Sequence, residues 1–197
     1  MISIINYGVG NLKSISKALE FVGERAIVTL DPQKIKESVG MVFPGVGAFK
    51  AAIRVLEKLR SKIEFSDIPV LGICLGMQLF ATDSTEGGLY RGLNLIPGRV
   101  LKLPKTAGKI PHIGWNSIKI RKEHEILDGI EDDSYFYFAH SYYLKTEPRY
   151  ILTETDYGVS FPSAVVRDNL IGFQFHLEKS GELGIRIIEN FVNFCKR

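Results

Sequence analysis

The first half of the chain alternates short apolar runs with segments in which apolar residues recur every three or four positions. The runs occupy residues 2–7, 26–30, 41–43 and 68–73. Between them lie two helical stripes, formed by Leu12, Ile15, Leu19 and Val22 and by Ala51, Ala52, Val55, Leu56 and Leu59. A spacing of three and four is typical of an amphipathic helix. Repeated strand–helix units predict a parallel sheet covered by helices on both faces.

Turn and capping residues mark the ends of these predicted elements. The first strand is closed by Gly8-Val9-Gly10, and Asn11 can cap the helix that follows. Gly23 is placed to end that helix, and Asp31-Pro32 is placed to open a short second one. The strand–helix units therefore carry their own start and stop signals.

The second half of the chain has a different pattern. Residues 83–92 are polar and rich in glycine, and we expect a loop there. Alternating apolar residues predict strands at residues 99–103, 117–120, 135–138 and 163–167, which short turns would make antiparallel. Asp168-Asn169 suits a hairpin turn into residues 170–175. An amphipathic helix ends the chain, with Ser180 as its cap and an apolar face of Leu183, Ile187, Ile188, Phe191 and Phe194.

No internal repeat, low-complexity tract or linker interrupts this pattern. We therefore predict one mixed α/β domain over residues 1–197. Its central sheet is expected to be mostly parallel with helices on both faces, and a smaller antiparallel sheet is expected beside it.

Composition narrows the classes of function. The chain has 197 residues, 45% hydrophobic and 24% charged, which is ordinary for a globular protein. Its formal net charge of +3 comes without a block of Lys or Arg, so no nucleic-acid partner is expected. The N-terminus lacks the basic start of a signal peptide, and the longest uncharged apolar stretch, residues 68–81, is too short to span a bilayer. Two cysteines make no disulfide framework, so we expect a cytoplasmic protein in a reducing compartment, away from membranes.

One of the two cysteines lies in the segment GICLGMQ, residues 72–78, where a predicted strand turns into a helix. Gly72 and Gly76 permit close backbone approach, and such a turn resembles a nucleophile elbow that presents Cys74. Backbone N–H groups at the start of the helix would favour the reactive thiolate. The alternative is that Cys74 is a small buried hydrophobic residue, which is the commoner role of a lone cysteine.

A candidate base lies in the segment GFQFHLE, residues 172–178. In a strand, side chains two residues apart point the same way, so Glu178 would orient His176 as in a Cys–His–acid relay. The alternative is an exposed histidine and glutamate at a strand end. Cys74 and His176 both follow predicted strands, at the edge where open α/β sheets place their sites.

The segment PGVG, residues 44–47, also follows a strand. Acyl transfer develops a negative oxygen that two backbone donors can hold, and the N–H groups of Val46 and Leu75 are our candidates for this oxyanion hole. Without Cys74 nearby, a plain glycine-rich turn would be the simpler interpretation.

Other kinds of site are less well supported. Gly8-Val9-Gly10 begins like a dinucleotide fingerprint, but Lys13 occupies the position of the third glycine. The four histidines are scattered, so neither a metal site nor a cofactor is expected. Cys195 is expected to be structural, and Trp115 fits either a core or a partner surface.

Together these segments resemble the class I glutamine amidotransferases, which use a Cys–His–Glu triad. Four further stretches narrow the resemblance to the glutaminase subunits of imidazole glycerol phosphate synthase, a histidine-biosynthesis enzyme: NYGVGNL at 6–12, GLNLIPG at 92–98, KIPHIGWN at 109–116 and YFAHSYY at 136–143. The resemblance covers residues 6 to about 180 and implies a flavodoxin-like three-layer α/β fold.

The resemblance implies hydrolysis of L-glutamine to glutamate and ammonia. Cys74 would attack the side-chain amide and form a γ-glutamyl thioester, while His176, oriented by Glu178, would protonate the departing ammonia. The substrate would be held by Gly47, Gln78, Ser141 and Tyr142.

The resemblance also implies a partner, a (β/α)8-barrel cyclase that uses the ammonia to make imidazole glycerol phosphate and AICAR. Asn11, Tyr137 and Lys179 would lie near that heterodimer interface. Members of the family are often nearly inactive until the cyclase binds its ligand. A backbone flip at Val46 between two glycines is a physically reasonable switch.

One position departs from the family pattern, because Leu177 stands where the family usually has proline between the triad histidine and glutamate. Leucine leaves a looser backbone there. Three alternatives stay open: a class I glutaminase serving another synthase, a non-catalytic subunit that keeps the fold, and a cysteine peptidase.

Overall fold

The computed structural model describes residues 1–8, 11–60 and 68–197 of the chain. Two residues of the turn expected after the first strand, Val9 and Gly10, therefore lie outside the described residues. Within the described ranges the α-helices are α1 (Leu12–Phe21), α2 (Pro32–Lys36), α3 (Phe49–Arg60), α4 (Leu75–Gln78) and α5 (Gly181–Phe194). The strands of the first half are β1 (Ile2–Ile5), β2 (Ala26–Thr29), β3 (Gly40–Phe43) and β4 (Val70–Ile73).

The second half of the described chain consists mainly of strands. They are β5 (Asp83–Ser84), β6 (Tyr90–Arg91), β7 (Gly98–Lys102), β8 (His112–Ser117), β9 (Lys119–Ile120), β10 (Tyr135–His140), β11 (Tyr142–Thr146), β12 (Ile151–Asp156), β13 (Ser160–Arg167) and β14 (Leu170–Phe173).

Among the described residues, the largest sheet has eight strands in the order β2-β1-β3-β4-β14-β13-β12-β9. Neighbouring strands from β2 to β14 run parallel, and β13, β12 and β9 extend the sheet antiparallel. Alternate side chains of β1 enter different cores: Ile2 and Ile4 pack with α1 and α5, while Ile5 packs with α2 and α3. The sheet is thus the middle of three layers, because residues two apart in a strand share a face.

Two smaller sheets lie beside the large one. One has the order β11-β7-β5-β6, and the other is the antiparallel pair β10-β8. The mixed α/β architecture with a mostly parallel central sheet, helices on both faces and a smaller sheet is therefore confirmed.

Several local predictions need correction. The segment 83–92 contains the short strands β5 and β6 and is more than a loop. Of the strand expected at residues 117–120, Ser117 ends β8 and residues 119–120 form β9, and the rest of β8 is not predicted. β11 and β12 were not predicted, because their polar residues hide the apolar alternation. The hairpin turn at Asp168-Asn169 is confirmed, with Asp168 at φ 52° between antiparallel β13 and β14.

No helix in the described ranges is both long and apolar enough to cross a membrane.

Candidate active site

The site lies where β4 and β14 end side by side. These parallel strands are in register, with Ile73 opposite Phe173. Cys74 follows β4 directly, and its N–H donates to the carbonyl of Phe173 at 2.7 Å. Two segments about a hundred residues apart in sequence are therefore brought together by backbone hydrogen bonds, as expected for the carboxyl edge of a parallel sheet.

Cys74 occupies the strained turn that its glycine neighbours predict. Its backbone has φ 48° and ψ −101°, which a residue with a side chain rarely adopts. A Cβ added at Gly72 would lie 2.7 Å from the backbone of Gly76, so Gly72 lets the turn close, and a Cβ at Gly76 would meet the backbone of Phe43 in β3. The elbow therefore holds the side chain of Cys74 in place through backbone geometry, at a cost in strain.

His176 lies beside Cys74, and both side chains approach Gly45. A Cβ placed on Gly45 would be 3.2 Å from Cys74 Cβ and 3.2 Å from His176 Cε1. The ring nitrogen Nδ1 of His176 is 2.8 Å from a carboxylate oxygen of Glu178, and both side chains are inaccessible to solvent. Cysteine, imidazole and carboxylate thus follow one another in the order that a relay requires.

The backbone that carries this pair differs from the expected strand. β14 ends at Phe173, and the residues after His176 form a 3₁₀ turn, Leu177–Lys179. The contact forms in spite of this, because His176 itself is extended at φ −89° and ψ 104°. Leu177 is fully buried, and the His176–Glu178 contact is intact with leucine in the place where the family usually has proline.

The electrostatics of the pair favour a protonated His176. Burial lowers the pKa of His176, but hydrogen bonds to Cys74 and Glu178 outweigh burial and raise it to about 9. Burial raises the pKa of Glu178, but its hydrogen bond with His176 prevails and lowers it. An imidazolium between a sulfur and a carboxylate can hold a proton ready for a leaving group.

Asn11 has a different role from the cap that was expected. It precedes α1 without making a side-chain cap hydrogen bond. Instead its amide nitrogen donates to Glu178, and its amide oxygen accepts the N–H of Gly45 at 3.3 Å. Asn11 therefore links the carboxylate beside His176 to the PGVG segment. Ser180, also expected as a cap, instead donates to the carbonyl of His176 at 2.6 Å.

The two expected oxyanion donors do not point to a common centre. The N–H of Leu75 donates to the carbonyl of Gly45 at 3.4 Å. The C=O and N–H of a trans peptide point in opposite directions, so the N–H of Val46 points away from Leu75. In this conformation the Leu75 N–H faces the Gly45 carbonyl and is not paired with the Val46 N–H.

A cavity of about 250 Å³ opens beside Cys74. All the residues expected to bind the substrate or the oxyanion line this cavity: Val46, Gly47, Leu75, Gln78, Ser141 and Tyr142. Gln78 donates both hydrogens of its amide nitrogen, to the carbonyl of Tyr142 at 2.8 Å and to Gln174 at 3.1 Å. Its amide oxygen is therefore the atom it can offer to a ligand as an acceptor.

Sequence reasoning missed Glu86, a half-buried carboxylate in the wall of this cavity. Burial raises its pKa, and it accepts the N–H of Phe49 at 3.4 Å. It lies in the glycine-rich segment that was expected to be a plain loop. The signal in the sequence is only a lone glutamate among polar residues. Nothing in its position along the chain indicates that it faces the cavity.

A buried histidine pair supports the wall of the cavity. His140 Nδ1 lies 2.9 Å from the carbonyl of Tyr142, so it carries the proton, and its Nε2 accepts from His112 Nδ1 at 3.0 Å. Burial lowers the pKa of His140 to about 3 and that of His112 to about 4. Both rings are therefore neutral near pH 7 and brace the Tyr142 carbonyl.

Two of the three residues expected at a partner interface, Tyr137 and Lys179, lie together beside the site. Lys179 Nζ lies 5.6 Å from the ring centre of Tyr137, and the ring centres of Trp115 and Tyr137 are 6.2 Å apart. Trp115 is 56% exposed and lies on the same strand face as Ile113, which is 61% exposed. Trp115 thus belongs to a surface and not to the core.

No group of three or more His, Cys, Asp or Glu side chains is arranged to hold a metal ion within the ranges that the structure describes.

Comparison with known proteins identifies the family. The profile of the family described as glutamine amidotransferase class-I matches residues 3–194. The chain belongs to the class-I glutamine amidotransferase family. Two solved structures share the fold at a TM-score of 0.76. One is a protein from Thermoplasma acidophilum described as a GMP synthase subunit; it is 19% identical, and the match covers 99% of this chain and 93% of that one. The other is described as a glutamine amidotransferase; it is 13% identical, and the match covers 100% of this chain and 99% of that one.

Curated relatives narrow the group within the class-I glutamine amidotransferases. The imidazole glycerol phosphate synthase subunit HisH of Archaeoglobus fulgidus is 62% identical over the whole of both chains. The HisH proteins of Methanosarcina barkeri and Caldanaerobacter subterraneus are 46% and 47% identical, over 98% of both chains and over 100% and 99% respectively. These full-length matches assign this amidotransferase to the HisH group.

Proposed function

We propose that this chain hydrolyses L-glutamine through Cys74, His176 and Glu178 and delivers the ammonia to a cyclase subunit. The observation that carries the proposal is the adjacency of the strained Cys74 to His176, with Glu178 bonded to the other side of the ring. The HisH relative that is 62% identical to this chain supports the same function.

The proposed reaction has two stages. The sulfur of Cys74 attacks the amide carbon of glutamine, and His176 protonates the departing nitrogen, which leaves as ammonia. Water then adds to the γ-glutamyl thioester, His176 takes its proton, and glutamate is released. Glu178 keeps the imidazole oriented and stabilises its positive charge in both stages.

Binding of the substrate's α-ammonium group is assigned to the acceptors of the cavity. The Gln78 amide oxygen and the Glu86 carboxylate are acceptors in its wall. Gly47, Ser141 and Tyr142 line the same cavity and would hold the remaining polar groups of glutamine. A volume of about 250 Å³ suits an amino acid better than a folded peptide segment, which favours glutamine over the peptidase alternative.

The partner is proposed to be a (β/α)8-barrel cyclase that binds the exposed face formed by Ile113, Trp115, Tyr137 and Lys179, with Asn11 nearby. Ammonia released into water near neutral pH would be mostly protonated and no longer nucleophilic. A cyclase that covers the site would receive it unprotonated and use it to make imidazole glycerol phosphate and AICAR. Aromatic residues with a cationic neighbour are typical of interface anchors.

A peptide flip in the PGVG segment is proposed as the activating step. At rest the Gly45 carbonyl accepts the Leu75 N–H. Rotation of the Gly45–Val46 peptide would release that N–H and turn the Val46 N–H toward the same centre, which completes an oxyanion hole. The side chain of Asn11 accepts the Gly45 N–H. A partner that contacts Asn11 could therefore act on the Gly45–Val46 peptide through this one side chain.

The deciding experiment measures ammonia release from glutamine for the chain alone, with the cyclase, and with the cyclase and its nucleotide ligand. We expect a low rate alone, a large rise in the liganded complex and no activity in Cys74→Ala. Equal rates in all three conditions would contradict the switch. Activation by the partner of a different synthase would favour the other class-I glutaminases, and inactivity with intact Cys74 labelling would favour a non-catalytic subunit.

A further inference from the structure

Gln174 takes no part in the proposed triad, yet it contacts the nucleophile. Its side chain is fully buried just after β14, and its backbone N–H donates to the carbonyl of Ser163 at 2.8 Å. Its side-chain amide nitrogen lies 3.5 Å from the sulfur of Cys74, within the range of a hydrogen bond to sulfur. A buried polar group that touches a reactive atom requires a chemical explanation as well as a packing one.

The orientation of the Gln174 amide follows from its neighbours. The carbonyl oxygen of Tyr142 only accepts, so the Gln78 atom 2.8 Å from it must be the amide nitrogen. The second hydrogen of that nitrogen faces Gln174 at 3.1 Å and requires an oxygen there. The other amide atom of Gln174, which faces Cys74, is therefore the nitrogen.

The backbone around Cys74 offers the sulfur less stabilisation than the start of a long helix with free N–H groups would. Helix α4, which begins at Leu75, has only four residues, so its dipole is small. The first N–H of that helix is already engaged with the carbonyl of Gly45. One of the backbone donors that the sequence suggested at this helix start is thus occupied, and the side chains of His176 and Gln174 supply donors at the sulfur.

We propose that Gln174 is a further catalytic residue whose amide N–H stabilises negative charge on the sulfur of Cys74. That charge is present before attack on the substrate. It appears again in deacylation, when water supplies oxygen to the acyl carbon, His176 takes the proton, the C–S bond breaks and sulfur leaves with the electron pair. An N–H that faces the sulfur favours the anion at both points. The catalytic part of this inference rests on the proposed glutaminase function, whereas the hydrogen bond to sulfur does not.

The test is the rate of alkylation of Cys74 by iodoacetamide, which reports the thiolate. It is measured on the full chain from about pH 5 to about pH 10, and peptide mass spectrometry separates Cys74 from Cys195. Gln174→Met keeps the length and removes the donor, so we expect alkylation about tenfold slower at the acidic end. Gln174→Glu places an oxygen against the sulfur and should be slower still. At the alkaline end both variants should reach at least the wild-type rate, since the thiolate is then fully formed.

Thr153→Val is the matched structural control, because it removes a buried hydroxyl bonded to Ser163 at 2.8 Å without touching the sulfur. Its alkylation profile should coincide with that of the wild type, and an equal shift in this variant would overturn the inference. Superimposed profiles of wild type, Gln174→Met and Gln174→Glu would overturn it as well. If Gln174→Met fails to fold, the isosteric Gln174→Glu carries the test.

Ammonia release in the liganded cyclase complex separates this inference from the proposed function. Gln174→Met should lower kcat by about the same tenfold factor and leave KM within about threefold of the wild type. An unchanged kcat would refute the catalytic part. If the wild type itself releases no ammonia while the alkylation profiles differ as expected, the proposed function fails and the hydrogen bond to sulfur stands.

Discussion

The backbone N–H of Leu75 is bonded to the carbonyl oxygen of Gly45, so one of the two donors proposed for an oxyanion hole is occupied. An enzyme in this conformation has its nucleophile and base in place but lacks paired main-chain donors. We therefore expect slow glutamine hydrolysis in the resting state. The cause is the orientation of the Gly45–Val46 peptide, because both the Leu75 and the Val46 N–H groups depend on it.

Replacement of Val46 tests this peptide directly. Val46→Pro removes the N–H that a flip would supply, and we expect the activated kcat for ammonia release to fall about 100- to 1,000-fold. Val46→Ala keeps the N–H and serves as the matched control, with activation retained. Steady-state kinetics with and without the liganded cyclase measure the effect, and equal loss in both variants would point to packing and not to the donor.

The His176–Glu178 pair predicts the alkaline limit of activity. The pKa of His176 is raised to about 9, and catalysis needs its proton for the departing ammonia, so kcat/KM should decline as pH rises through this value. Glu178→Gln removes the negative charge that helps to raise the pKa, and the alkaline limb should move to lower pH. The pH profile of ammonia release in the complex provides the measurement. A limb that stays at the same pH in Glu178→Gln would exclude this assignment of His176.

The strain at Cys74 predicts an unusual order of stabilities. Glycine adopts positive φ without a penalty, so Cys74→Gly should have a free energy of unfolding about 1 kcal/mol higher than Cys74→Ala. Ordinary glycine substitutions act in the opposite direction, because they increase the entropy of the unfolded chain. Urea denaturation followed by circular dichroism compares the two inactive variants, and a more stable alanine variant would show that the elbow is not strained.

Glu86 is expected to recognise the α-ammonium group of glutamine. Glu86→Gln keeps the shape and removes the charge, so KM for glutamine should rise about tenfold or more while kcat changes little. Asp83→Asn is a suitable control, because Asp83 lies in the same segment but outside the wall of the cavity. Its carboxylate pairs with Arg99 Nε at 2.5 Å. A kcat defect at constant KM would instead give Glu86 a part in the chemical step.

Trp115 is expected to anchor the cyclase. Trp115→Ala should weaken the Kd of the heterodimer roughly 10- to 100-fold, as truncation of a central aromatic anchor does, and should leave the unfolding of the free chain nearly unchanged. Leu30→Ala is the control, since Leu30 is 40% exposed after the edge strand β2. Isothermal titration with the cyclase gives both affinities, and equal values for the two variants would move the interface elsewhere.

The sequence was informative where a residue type is tied to backbone geometry. Glycines around Cys74 indicated the elbow, and the strand ends before Cys74 and His176 indicated their shared edge. It was misleading for Asn11 and Ser180, because their side chains suit a helix cap and equally suit the buried hydrogen bonds that they form. Glu86 and Gln174 were missed because their importance arises from contacts between distant segments, which no local pattern encodes.

The ladder between β4 and β14 has a consequence for how this protein can diverge. Because main-chain pairing fixes Cys74 beside Phe173, three residues before His176, the side chains that fill the two cores can change as long as the register is preserved. Solved structures with only 13% and 19% identity keep the same overall fold, in keeping with this tolerance. A single-residue deletion inside either strand, by contrast, would shift its terminal residue along the ladder and misalign the chemistry while much of the hydrophobic interior survived.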